Sequence, residues 1–231
     1  MSNDPAPLRL IPRRDLVKRS MVVAGSAAVA ALPVPPMVGA SEPLASFRGR
    51  SLAAQSATPV ATPIDLATYV PIALTSSEFA TLEAILDRLI PSDELGAGAV
   101  EAGVSFYLDQ ALAGPYASKL AGYQVALPLF DQEAGPGGFA ALAAQGQDAI
   151  LTRAEEGDIT ALPPAFFTDL LQHAREGYFG DPVHGGNRNY VGWDLVHFPG
   201  IKLIWTAEEQ AIGTNVEPAH TSVATYGGTG S

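Results

Sequence analysis

Polar and apolar residues follow a helical rhythm over most of residues 75–180, and no stretch alternates with the period of a strand. Thr75-Ser76-Ser77-Glu78 has the spacing of a capping box, a hydroxyl for an orphan amide and a carboxylate three residues on to reach back. Phe79, Leu82, Leu86 and Leu89, with Ile85 and Ile90 beside them, then form an apolar stripe that Pro91 ends. A second helix is predicted from Gly98 to Ala113, with Val100, Val104, Tyr107, Leu108, Ala111 and Leu112 on one side, stopped by Gly114-Pro115. Residues 116–141 are ambiguous, because Pro128 interrupts the apolar run from Lys119 to Phe130. Gly135-Pro136-Gly137-Gly138 reads as a loop, and Ala140 to Glu156 as a further helix ending at Gly157. Pro163-Pro164 suits the first turn of a last helix whose stripe is Phe166, Phe167, Leu170, Leu171, Ala174, Tyr178 and Phe179. Gly180-Asp181-Pro182 terminates it. The expected fold is all-α, a compact bundle of four or five helices with long ordered loops.

The segments on either side have a different character. Residues 41–73 are rich in Ser, Ala, Thr and Pro and read as an extended N-terminal arm or linker. Residues 201–231 form a C-terminal tail, in which Trp205-Thr206-Ala207-Glu208-Glu209 has the pattern of a short capped helix. The helical domain is expected to span 74–200.

Charge separates the chain again. The 231 residues carry 13 Lys plus Arg and 24 Asp plus Glu, a net charge of −11. Residues 1–40 hold five of the basic groups and two of the acidic ones and are +3, whereas residues 41–231 are −14. Pro12-Arg13-Arg14-Asp15-Leu16-Val17-Lys18 resembles a twin-arginine export signal. The mildly apolar run Met21 to Leu32 follows, and Val38-Gly39-Ala40 offers a cleavage site after Ala40. The apolar run is shorter than the roughly 20 residues a membrane span needs. The expectation is therefore a signal peptide over 1–40, read through Arg13, Arg14 and Lys18, and a periplasmic product with no direct membrane span after cleavage.

Composition removes several functions. An acidic surface is a poor match for nucleic acid or anionic lipid. The chain has no Cys, which excludes disulfides, thiolate catalysis, Cys-held metal clusters and covalent c-type haem in this chain. No P-loop, GxGxxG or GxSxG motif is present. The most informative stretch is Gln172 to Gly200, a loop-rich segment with aromatics outside regular structure together with His173, His184, His197, Asp181 and Asp194. Long loops in compact domains are usually functional. Trp193 and Phe198 are expected to fold back onto the helices. The histidines are 11 and 13 residues apart, without an i, i+4 pair, so a metal would need ligands gathered from separate loops. A stand-alone periplasmic metal-dependent enzyme built on 173–197 stays open as the alternative.

Two blocks carry a family resemblance. The first is Phe79…Leu82-Glu83…Asp87-Arg88-Leu89-Ile90-Pro91-Ser92-Asp93, continued by Gly98…Ala102-Gly103-Val104…Asp109…Gly114-Pro115-Tyr116. The second is Phe166-Phe167…Leu170-Leu171…His173…Glu176-Gly177-Tyr178-Phe179-Gly180-Asp181-Pro182-Val183-His184-Gly185-Gly186-Asn187-Arg188…Gly192-Trp193…Phe198-Pro199-Gly200. Together they resemble the gluconate 2-dehydrogenase subunit 3 family over about residues 75–200. His184 stands where tyrosine is expected in a DPxYGGN stretch, and 117–160 match loosely. The resemblance implies a non-catalytic small subunit of a membrane-associated, FAD-dependent sugar or sugar-acid dehydrogenase. It implies a flavin-containing large subunit as partner, a multihaem cytochrome c as a further one, and the twin-arginine translocase as the export route. FAD, with an iron–sulfur cluster or haem c, would belong to the partners and no cofactor to this chain. Asp181, His184, Asn187, Arg188, Tyr190, Trp193 and Trp205 are then the candidate partner-interface residues, since aromatics and arginine dominate interface centres.

Overall fold

The computed structural model describes residues 68–226. The export signal with Arg13, Arg14 and Lys18, the cleavage site at Ala40, the arm up to residue 67 and the Gly-rich end at 227–231 lie outside the described residues. Seven α-helices are present among the described residues: α1 (Ser76–Leu89), α2 (Val104–Ala113), α3 (Leu120–Ala134), α4 (Ala144–Glu156), α5 (Phe166–Phe179) and the short α6 (Val191–Leu195) and α7 (Val223–Tyr226). The only β-type pairings among them are isolated bridges, Asp93 with Gly96 and Gly200 with Thr221. The all-α expectation holds.

α1 begins as its sequence dictates. Thr75 Oγ1 accepts from the Glu78 amide, and the Glu78 carboxylate accepts from the Thr75 amide at 2.8 Å. Its stripe supplies Leu82, Ile85 and Leu86 to a core completed by Leu108 and Leu112 of α2, Tyr123, Leu127 and Phe130 of α3, Phe139, and Leu170 and Tyr178 of α5. Each fully buried aliphatic side chain contributes about 1.5–3 kcal/mol. Polar ties fix the layers. Arg88 of α1 grips Asp148 of α4 through two bonds, 2.7 and 2.9 Å long. Asp131 of α3 accepts from Thr81 of α1 and from the Phe139 amide, both at 2.9 Å.

Four boundaries differ from the sequence reading. α2 starts at Val104 rather than Gly98, because Gly103 at φ 75 reverses the backbone and confines residues 98–103 to turns. α3 runs through Pro128. Proline removes one helical hydrogen bond, but Tyr123, Ala126, Leu127 and Phe130 on the same helix are buried, and their burial outweighs a cost of about 3 kcal/mol. Gln124, the residue whose carbonyl loses its donor, is exposed to water. α4 starts at Ala144, after a short 3-10 turn at Phe139–Ala141. α5 starts at Phe166, since Ala165 at φ 65 separates it from Pro163-Pro164.

The chain entering α1 is held mainly by Asp109, with Gln110 Nε2 donating to the Tyr69 hydroxyl at 2.9 Å. Asp109 of α2 is completely buried and its carboxylate accepts four bonds. They come from Tyr69 Oη at 2.5 Å and from the amides of Ile72, Ala73 and Leu74 at 2.7, 3.0 and 2.9 Å. Tyr69 packs edge-on against Phe106 at 4.8 Å. Burial, then the bond to Asp109, raises the Tyr69 hydroxyl's pKa.

Candidate functional site

α5 ends at Gly180, and the next twenty residues fold back on its C-terminal half. Asp181 starts the turn by accepting from the Val183 amide at 2.9 Å, with Pro182 in the first position of a 3-10 turn, Pro182–His184. Gly186 then lies so close to the Gly177 carbonyl that a Cβ would collide with it. Gly177 in turn faces Tyr107 and Val104, which leaves no room for a side chain between α5 and α2.

Asn187 organises the interior of this block. It is fully buried and adopts φ 46. Its Nδ2 donates to the Gly180 carbonyl, and its Oδ1 accepts from the Gly192 amide, both at 2.8 Å. One side chain thus satisfies backbone groups at both ends of the loop. The Arg188 amide donates to the Ala102 carbonyl at 3.0 Å, and the Arg188 side chain covers Gly103. The Trp193 indole is buried and donates to the Phe179 carbonyl at 2.9 Å. Phe198 meets the Trp193 ring edge-on at 4.9 Å, so both fold back as expected. Trp193 sits within α6, however, and not outside regular structure.

Of the seven residues proposed for an interface, Asn187 and Trp193 are inside the protein and shape the face from beneath. Asp181, Arg188 and Tyr190 are half-buried, and His184 and Trp205 are exposed. Asp181 spends its second oxygen on the Val223 amide at 2.8 Å. Tyr190 lies between Trp193 and His220, whose ring stacks on it at 4.5 Å with an interplanar angle of 3°. His220 Nε2 stands 2.7 Å from Asp194 Oδ1. The sequence pattern does not single out His220, which lies 20 residues beyond the block and carries no local motif. Trp205 is separate from these, with Lys202 5.2 Å above its ring. The 206–210 segment has the capping pair but forms a turn rather than a helix: Glu209 accepts from the Thr206 amide at 2.9 Å.

Non-glycine residues with left-handed backbone cluster here: Asn187, Asn189 at φ 54, Tyr190 at φ 61, His197 at φ 55 and His220 at φ 49. Asparagine tolerates this region, but tyrosine and histidine are held there at a cost of about 1–3 kcal/mol each. Such strain collects where geometry serves function.

The histidines do not converge. His173 belongs to a second polar cluster joining α2, α3 and α5. Its Nδ1 is 2.9 Å from the Tyr123 hydroxyl, and its ring stacks on Tyr116 at 4.4 Å. Tyr116 donates to Glu176 at 2.6 Å, and that bond raises its hydroxyl's pKa. Burial lowers the His173 pKa below 6.5, against the pull of Glu176 and Asp169. Among the described residues, no group of three or more His, Asp or Glu could hold a metal ion.

The His173 pKa has a measurable consequence. A histidine whose folded pKa is depressed takes up its proton more readily in the unfolded chain. Its contribution to stability is complete above pH 6.5 and is lost as pH falls from there through the lowered folded value. Melting temperature should drop across that window, and the drop should be smaller in His173→Gln. Equal slopes in the two proteins would refute the assignment.

The arrangement is a face with locally strained backbone over a helical core, in which Asp181, Asn187, Asp194 and His220 are engaged in bonds within the chain. Residues 76–200 match the family described as Gluconate 2-dehydrogenase subunit 3. The chain belongs to that family, and membership makes it an accessory subunit of a dehydrogenase complex. No curated protein and no solved structure matches the chain. Among the described residues, no helix is long and apolar enough to cross a membrane.

Proposed function

We propose that this chain is the non-catalytic small subunit of a periplasmic, FAD-dependent dehydrogenase acting on gluconate, glucose, fructose or a related polyol or alcohol. It supplies the twin-arginine signal, escorts the folded flavin subunit across the membrane and stays bound to stabilise it. FAD belongs to that large subunit, and a multihaem cytochrome c, with or without an iron–sulfur cluster, receives the electrons and holds the assembly at the membrane. The observation that carries this reading is the family match over 76–200 on a chain whose N-terminus has Arg13-Arg14 followed by Leu16-Val17-Lys18. The twin-arginine route moves folded cargo. A cysteine-free chain that carries such a signal is accounted for if the cofactor lies in its partner.

The test is the double substitution Arg13→Lys with Arg14→Lys in the native host. Flavin dehydrogenase activity should vanish from the periplasm and accumulate in the cytoplasm. Unchanged periplasmic activity would overturn the escort role.

A further inference from the structure

Residues 200–221 form a loop pinned at its base and apolar at its crown. At the base the Ile201 amide donates to the Thr221 carbonyl at 2.7 Å, and the Ala219 amide to the Pro199 carbonyl at 2.9 Å. Gly200, at φ 97, approaches the Thr221 backbone so closely that a Cβ would stand 2.6 Å from its nitrogen. His220 on Asp194 and Tyr190, and Val223 on Asp181, fasten the returning strand of the loop to the 181–200 block.

The crown is also organised. Thr206 and Glu209 exchange bonds, Gln210 Nε2 donates to the Trp205 carbonyl at 3.0 Å, Thr214 Oγ1 donates to the Glu208 carbonyl at 2.9 Å, and Lys202 pairs with Glu209. On this frame Leu203 is 73% exposed, Ile204 80%, and Ile212 fully exposed. Within the 181–200 block, Val196 and Phe198 are also exposed. A recess of about 450 Å³, lined by Ile201, Leu203, His220, Thr221 and Tyr226, opens beside Leu203. Large apolar side chains left this exposed on a loop braced by its own hydrogen bonds point to an interaction site.

Charge selects the occupant. Residues 201–218 contain Glu208, Glu209 and Glu217 against Lys202 alone, on a chain that is −14 beyond residue 40. An anionic lipid surface and a second copy of the same acidic chain both repel this face. We infer that the 200–221 loop is the principal anchor for a partner protein, inserting Leu203, Ile204 and Ile212 into an apolar cleft rimmed by arginine and lysine. This rests on the accessory-subunit reading, under which the cleft belongs to the flavin subunit.

The full-length chain is co-expressed with the flavoprotein of its complex. Retained flavin and the dissociation constant are measured for wild type, for Leu203→Asp with Ile204→Asp, for Ile212→Asp, and for Val125→Asp on exposed α3 as control. Wild type and V125D should hold the flavoprotein equally. The loop variants should bind about 100-fold more weakly at unchanged helical circular dichroism and melting temperature. If one loop variant misfolds, the other is read alone. Equal binding by folded loop variants overturns the anchor and leaves the accessory-subunit reading standing, whereas no flavoprotein on wild type overturns both. Loss of self-association or of vesicle binding in the loop variants, with flavoprotein binding intact, assigns the loop to a second copy or to lipid and likewise overturns the anchor.

Discussion

Gly192→Ala should be among the most damaging single-methyl additions in this protein. A Cβ at position 192 would lie inside the van der Waals envelope of the Tyr178 carbonyl oxygen and 3.1 Å from Asn187 Oδ1. Both neighbours are fixed. Tyr178 is fully buried with its hydroxyl bonded to the Ala97 carbonyl at 2.7 Å, and Asn187 is the side chain that closes the loop. Neither can retreat, so α6 must lift off α5 and the Trp193 indole must leave the Phe179 carbonyl. Overpacking costs typically 1–3 kcal/mol. With backbone as the obstacle, the upper end applies, a melting temperature lower by roughly 10 °C. Thermal denaturation of the purified variant measures it, and near-ultraviolet circular dichroism should show the Trp193 signal weakened. A variant that melts with wild type would mean that the 181–200 block is not seated as described.

Asp109→Ala should have an effect of comparable size but different character. The carboxylate serves four donors that bring residues 69–74 onto α2. Deleting it strands the buried Leu74 amide and the half-buried amides of Ile72 and Ala73, and such a group costs about 1–3 kcal/mol unless it reaches water. These residues precede α1, so they can peel away while the bundle stays folded. The expected outcome is local opening. The amides of Ile72, Ala73 and Leu74 should lose hydrogen-exchange protection by at least tenfold, while those of Leu82 and Leu86 keep theirs. Asp109→Asn should fall between, because a carboxamide has one acceptor oxygen where the carboxylate has two. Retained protection at 72–74 in the alanine variant would show that Asp109 is not the tether.

How much of this was legible depended on whether the signal was local. The capping pair at Thr75 and Glu78, the stop at Pro91 and the glycines at 114, 157 and 180 act on their immediate neighbours, and all appear where the sequence placed them. The starts of α2 and α5 are not visible in the pattern because residues 103 and 165 adopt left-handed backbone, and nothing local singles out Ala165 for it. Pro128 looks like a break because its cost is local, whereas the burial that outweighs it comes from other helices. In the site, the block 181–200 was recognisable as a pattern. The burial of Asn187 and Trp193, and the pairing of Asp194 with His220, depend on contacts that no spacing rule encodes. The apolar crown at Leu203, Ile204 and Ile212 left no periodic trace, since its residues are scattered through a loop.

The bond from Tyr178 to the Ala97 carbonyl spans 81 residues of chain, and the Arg188 amide reaches back to Ala102. The ties among α1 to α4 are shorter in sequence, at most 60 residues for Arg88 with Asp148. Synthesis runs from the N-terminus, so the ties among α1 to α4 can form while the remainder is still on the ribosome, and α5 then completes the core with Leu170 and Tyr178. The 181–200 block, and the loop fastened to it, can close only after α5 has emerged. A product cut short after α5 would therefore keep the core helices but lack the face beyond them, so that a partner reading that face would pass over unfinished chains.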